Sequence, residues 1–189
     1  RNQVLPKKLS NLRASNAQLG LFRAYLQNGS WSVPEPFEHN STKYSIMHPA
    51  ISADGHELVF ASDMNSAESG VDLYRCTRTS TGWSAPENLG PVVNSPGNEV
   101  FPSFGPDGKL YFASDRTGGS GKLDIYYSER QNMTWSIPEQ LPEPINSVGN
   151  DVGITFNPDG FSGFLSSDRG GSDKLHAFKR TVPKFRECS

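Results

Sequence analysis

The chain has 189 residues, enough for one domain with a packed core or for one part of a larger one. Its 18 Lys and Arg nearly balance 20 Asp and Glu, a formal net charge of -2, and no basic block stands out, which argues against a nucleic-acid surface. Only 34% of residues are hydrophobic, while Gly numbers 18 and Pro 14, a mixture that excludes a protein of long helices and favours short strands joined by turns.

Residues 1–18 carry none of the phrases that recur later and read as an irregular N-terminal segment. The chain opens on Arg1 and shows no signal peptide, so it reads as a processed or trimmed piece. No apolar run is long enough to span a bilayer, which takes about 18 residues or more. From residue 19 onward the text repeats. Trp31, Trp83 and Trp135 stand 52 residues apart, and each opens the phrase W-S-x-P-E: Trp31–Glu35, Trp83–Glu87, Trp135–Glu139. Such self-similarity at a fixed period is the signature of a repeat architecture.

Other marks keep step. Asn40-Ser41, Asn94-Ser95 and Asn146-Ser147 follow the three phrases. Next come His48-Pro49-Ala50-Ile51, Phe101-Pro102-Ser103-Phe104 and Gly153-Ile154-Thr155-Phe156. Each leads into an Asp-Gly turn, Asp54-Gly55, Asp107-Gly108 or Asp159-Gly160, where Asp binds its own backbone and Gly accepts a positive φ. An apolar run ending in Ser-Asp follows at Ser62-Asp63, Ser114-Asp115 and Ser167-Asp168. Asp72-Leu73-Tyr74 and Asp124-Ile125-Tyr126 close the unit, with weaker echoes at Gly20-Leu21-Phe22 and His176-Ala177-Phe178.

Each period holds four strand-sized segments. In the third unit these are Phe101–Phe104, Leu110–Ser114, Leu123–Glu129 and a fourth strand around Trp135. The predicted class is therefore all-β: a β-propeller of four-stranded antiparallel blades, with about 3.5 to 4 repeats of 52–53 residues. The domain plan is 1–18 irregular, 19–180 propeller (19–47 partial, 48–100, 101–152, 153–180 partial) and 181–189 a tail or linker. Either this is a section of a larger propeller, the favoured reading, or an irregular four-bladed ring. A lone sheet cannot cover both faces, so blades stack. Trp31, Trp83, Trp135, Phe60, Phe112, Tyr74 and Tyr126 are the expected filling between blades.

The chemistry of enzymes is not legible. There is no G-x-S-x-G elbow, no H-E-x-x-H and no phosphate loop, so no catalytic residue, metal or cofactor is assigned. Cys76 and Cys188 fall at different repeat phases and are not expected to pair. Of the four histidines only His48, at the start of an inner strand, is placed toward a channel. The recurring Ser-Asp-Arg, at Ser114-Asp115-Arg116 and Ser167-Asp168-Arg169, is first a structural mark: Asp accepts backbone amides and Arg pairs locally. Its functional alternative is a loop face offering acids and arginines to a partner, built from Asp63, Glu99, Asp115, Arg116, Asp151, Asp168 and Arg169 together with His48.

The phrases W-S-x-P-E, P-D-G, F-A-S-D-R and L-D-I-Y resemble the WD40-like repeats of TolB-type propellers. They are most similar to those of OmpA-family proteins of Bacteroidetes, some of which belong to the type IX secretion apparatus. The match covers roughly residues 19–180. The resemblance implies a non-catalytic module that binds protein partners of the cell envelope, periplasmic and outer-membrane associated, with no nucleic acid and no membrane insertion. Peptidoglycan binding would come only through a domain not in this chain. The alternatives are a glycan- or small-ligand-binding propeller, or the non-catalytic domain of a larger hydrolase.

Overall fold

The computed structural model describes residues 18–65, 70–132 and 134–180. Among these there are strands and turns but no helix. The first unit holds β1 (Phe22–Arg23), β2 (Leu26–Gln27), β3 (Ser30–Trp31) and β4 (Glu35–Pro36). The second holds β5 (Ile46–Ile51), β6 (Glu57–Ser62), β7 (Asp72–Thr77) and β8 (Glu87–Asn88). The third holds β9 (Glu99–Phe104), β10 (Leu110–Ser114), β11 (Asp124–Ser128), β12 (Arg130–Gln131), β13 (Thr134–Trp135) and β14 (Glu139–Gln140). The fourth holds β15 (Asp151–Phe156), β16 (Ser162–Ser167) and β17 (Lys174–Lys179). All pairing is antiparallel, in the sheet orders β5-β6-β7-β8, β9-β10-β11-β14 and β15-β16-β17.

The turn signals act as their chemistry requires. Gly55, Gly108 and Gly160 take φ values of 72°, 76° and 68°, which cost a residue without a Cβ little. Asp54 Oδ1 accepts the His56 amide at 3.0 Å, and Asp159 Oδ1 accepts the Phe161 amide at 2.8 Å. Asn28 and Gly29 both have positive φ between β2 and β3, the requirement of a two-residue hairpin turn.

The fourth strand is not where the tryptophan suggested. The outer strands are Glu87–Asn88 and Glu139–Gln140, at the end of each W-S-x-P-E phrase. The Trp lies in a small hairpin that prolongs strand three, as β12–β13 or as the Arg78–Trp83 bridge. The Ser of each phrase closes that hairpin. The amides of Ser32, Ser84 and Ser136 donate to the carbonyls of Tyr25, Thr77 and Glu129 at 2.8, 2.9 and 2.8 Å. Their hydroxyls accept the amides of the same three residues at 3.0, 2.9 and 3.0 Å. The Glu then pairs across to strand three: Glu35 with Arg23, Glu87 with Arg75, and Glu139 with the Tyr127 hydroxyl. Pro beside such short strands blunts an edge that would otherwise recruit other chains.

Adjacent units are stitched by backbone and by asparagine. The amides opening strand one, at Ile46, Glu99 and Asp151, donate to Leu19, Val71 and Leu123 of the preceding unit at 2.9, 2.7 and 2.7 Å. Asn40, Asn94 and Asn146 each clip a strand-three residue of that unit, Leu21, Leu73 or Ile125, by taking its amide and returning a bond to its carbonyl. Asn146 is fully buried and also donates to the Leu141 carbonyl at 2.7 Å. Asn146→Ala strands these groups, and a loss of about 2–3 kcal/mol is expected from urea unfolding, with the m-value unchanged. A change within about 0.5 kcal/mol, the range of ordinary surface substitutions, would show the clip to be idle.

The core runs between units. Leu58, Phe60, Tyr74 and Cys76 of the second unit pack toward Leu21 and Phe37 of the first. Val59, Ala61 and Leu73 instead join Leu110, Phe112 and Tyr126 of the third, whose Tyr111 and Ile125 belong with Ile154 and Leu165 of the fourth. Alternate residues of each strand thus face the preceding and the following unit. Phe60, Phe112, Tyr74, Tyr126 and Trp135 are buried, but Trp31, expected in the core, is 69% exposed. The reason is geometric. Trp135 lies against the link Leu89–Val92 of the unit before it, and Trp83 packs with the cluster around Phe37 and donates its amide to Glu38 at 2.8 Å. Trp31 has no described unit ahead of it to cover.

Candidate functional site

Strand one runs away from, and strand two back toward, the same end of each unit. The link before strand one and the loop after strand two therefore share one face, where the Ser-Asp-Arg marks lie. On that face the Asp residues hold loops. Asp63, Asp115 and Asp168 accept the backbone amides of Ser45, Asn98 and Asn150 at 2.7, 2.6 and 2.6 Å. Asn98 and Asn150 add side-chain bonds to Asp115 and Asp168, each at 2.7 Å. The Asn150 side chain and amide hold the Asp168 carboxyl below its ordinary pKa. Gly97 and Gly149 sit so close to these carboxylates that a Cβ there would collide with them.

Glu99 and Asp151 do not face a partner. Both side chains are fully buried at the start of strand one. Glu99 takes the Ser95 and Ser114 hydroxyls at 2.6 Å each and the Arg116 guanidinium at 3.2 Å. Arg116 continues to the Val93 carbonyl at 2.6 Å and lies over the rings of Phe112 and Tyr126. Asp151 pairs with Arg169 at 2.7 Å, and Arg169 also donates to the carbonyls of Pro144 and Ile145. Each Arg thus ties strand one, the loop after strand two and the inter-unit link into one brace. Among the described residues the second unit has no such ion pair: Ile46 stands opposite Ser62, where Glu99 stands opposite Ser114, and Met64 follows Ser62-Asp63 where Arg116 follows Ser114-Asp115. Ile46 is fully buried, and Met64 packs against the same apolar cluster.

His48 and Phe101 sit at bulges of β5 and β9, both with φ near 50°, a conformation bulky residues rarely adopt. Their rings stack at 3.8 Å, and burial lowers the His48 pKa. A shallow groove of about 330 Å³ runs past them to Gly153, Phe164 and Leu175. Cys76 is buried and its thiol is pushed up to about 12 by burial, which leaves it inert. Cys188 lies outside the described residues.

A larger cleft, about 940 Å³, opens between the third and fourth units. Its walls include Tyr111, Tyr127, Phe156 and Phe178, with Lys109 and Arg180 at its borders. Phe156 and Phe178 close recurring apolar phrases that read as strand, and Tyr111, Tyr127, Lys109 and Arg180 stand in none of the polar marks, so the sequence did not single these residues out as a site. Among the described residues no group of three or more His, Cys, Asp or Glu is arranged to hold a metal ion. Among the same residues no helix is long and apolar enough to cross a membrane.

A solved structure assigned as TolB, from Agrobacterium tumefaciens, superposes with a TM-score of 0.56 at 19% identity, over 88% of this chain and 56% of that one. The chain has a TolB-like propeller fold. At that identity the likeness concerns the fold alone, and this chain spans little more than half the length of its neighbour. A solved prolyl endopeptidase superposes less well, with a TM-score of 0.44 at 16% identity over 79% of this chain and 22% of the enzyme. No family model matches the chain. No curated protein matches it.

Proposed function

We propose that this chain is a section of a larger propeller and serves as a non-catalytic, protein-binding scaffold of the bacterial cell envelope. The observation that carries the binding role is the rigid loop face. Its links are fixed by the Asp63, Asp115 and Asp168 clips and by the Arg116 and Arg169 braces, so a partner meets preorganised backbone and little ordering entropy is lost on docking. That face also carries the apolar Val148, 84% exposed. The envelope setting, periplasmic and outer-membrane associated, with a part in type IX secretion, is supported by the resemblance of the repeat phrases to those proteins.

The section reading is supported by burial. Leu73 and Ile125 of the second and third units are fully buried against the following unit, while Leu175 at the same register of the fourth is 76% exposed. Phe164 takes the place of Val59 and Tyr111 and is likewise exposed. Among the described residues no strand of the fourth unit pairs with one of the first. A further blade fits both open ends.

The binding role is tested by photo-crosslinking in the source cell from position 148, with position 137 on the outer edge as control. A discrete envelope protein trapped from 148 and not from 137 is expected. No adduct from 148, or equal adducts from both, would remove the reading.

A further inference from the structure

We propose that the cleft between the third and fourth units binds a small amphipathic anion, a carboxylate on an aromatic body. The repeat supplies an internal comparison, because the second and third units meet at the same register. There Phe112 and Tyr126 face each other across β10 and β11 and fill the interface. In the fourth unit the same pair is Leu165 and His176, both smaller. At the earlier interface a crevice of about 210 Å³ lies against Trp135, whereas the later one opens to about 940 Å³. That size suits a small-molecule site, for which roughly 300–1,000 Å³ is usual.

Two further observations define what fits. His176 lines the cleft, and its Nε2 is buried there without a hydrogen-bond partner among the described residues. The border charges are also changed. At the earlier interface Arg130 closes on Glu57 at 2.5 Å, and Arg75 joins the same Glu. In step with Glu57 and Arg130 the later interface has Lys109 and Arg180, two cations. Lys109 is neutralised by Glu129 at 2.6 Å, but Arg180 has no ion pair among the described residues. Of the acids that line the cleft, Asp107 accepts the Tyr111 hydroxyl and Glu139 that of Tyr127, and Glu143 lines it as well, so the anion is selected by the unpaired Arg180 and not by the net charge of the lining. The apolar body lies against the wall formed by Tyr111, Phe156 and Phe178, whose rings meet one another at 4.7 and 5.5 Å, and the acid group meets Arg180.

The test is calorimetric titration of the full chain with 1-naphthoate and with uncharged 1-naphthamide. Saturable one-to-one binding is expected, with naphthoate tighter by about tenfold, the scale of one charge-assisted hydrogen bond. Arg180→Gln should erase that preference without lowering the melting temperature. Leu165→Phe with His176→Tyr, which writes the third unit's residues into the fourth, should abolish binding of both compounds in a protein that still melts cooperatively. Binding that survives this filled variant would place the ligand on the exposed Phe164 and Leu175 face and overturn the proposal. So would equal affinity for the two compounds, or no saturable binding of either.

Discussion

Arg116→Met should destabilise the protein by about 3–5 kcal/mol, the scale for an ion left buried without its partner. Glu99 has no solvent exposure, and Arg116 is the cation that compensates it. Two serine hydroxyls also reach the carboxylate, but they solvate the charge without neutralising it. The same chain contains the apolar answer to this site, since its second unit carries Ile46 and Met64 at the corresponding positions. Glu99→Ile combined with Arg116→Met should therefore recover most of the loss and lie within about 1 kcal/mol of the parent, as replacement of whole buried pairs often does. A chemical-denaturation double-mutant cycle reads both numbers. If the two single losses simply add, the brace is not a coupled pair.

Trp135→Ala should cost about 3–5 kcal/mol, whereas Trp31→Ala should change stability by no more than about 0.5 kcal/mol. The two residues open the same phrase, and only their surroundings differ. Trp135 is 8% exposed, beneath the Arg130 guanidinium at 4.3 Å and against the link of the second unit. Trp31 is 69% exposed. Thermal unfolding of the two variants compares them directly, and equal losses would mean that Trp31 is covered by something outside the described residues.

The period, the strand content and the Asp-Gly turns were readable from spacing alone, because they depend on local backbone chemistry. What a repeated residue touches was not. W-S-x-P-E named Trp as the landmark, yet the strand belongs to its Glu, and the Trp serves the neighbouring unit. Glu99 and Asp151 read as loop acids because they adjoin loops, while the first residue of an inner strand points inward. One signal was available: the unit that lacks the Arg, at Met64, also lacks the acid, at Ile46. The cleft depends on Leu165 and His176 standing where Phe112 and Tyr126 stand, a comparison that needs the β16–β17 register. The last phrase of the chain is too worn to supply that register by eye.

The account rests on successive units fanning about an axis, each covering the one before. Nitroxide labels at residues 33, 85 and 137, the exposed third positions of the three W-S-x-P-E phrases, measure this by pulsed electron resonance. Equal 33–85 and 85–137 distances, with a 33–137 distance clearly shorter than their sum, are the predicted result. A 33–137 distance equal to that sum, or two unequal neighbour distances, would contradict it.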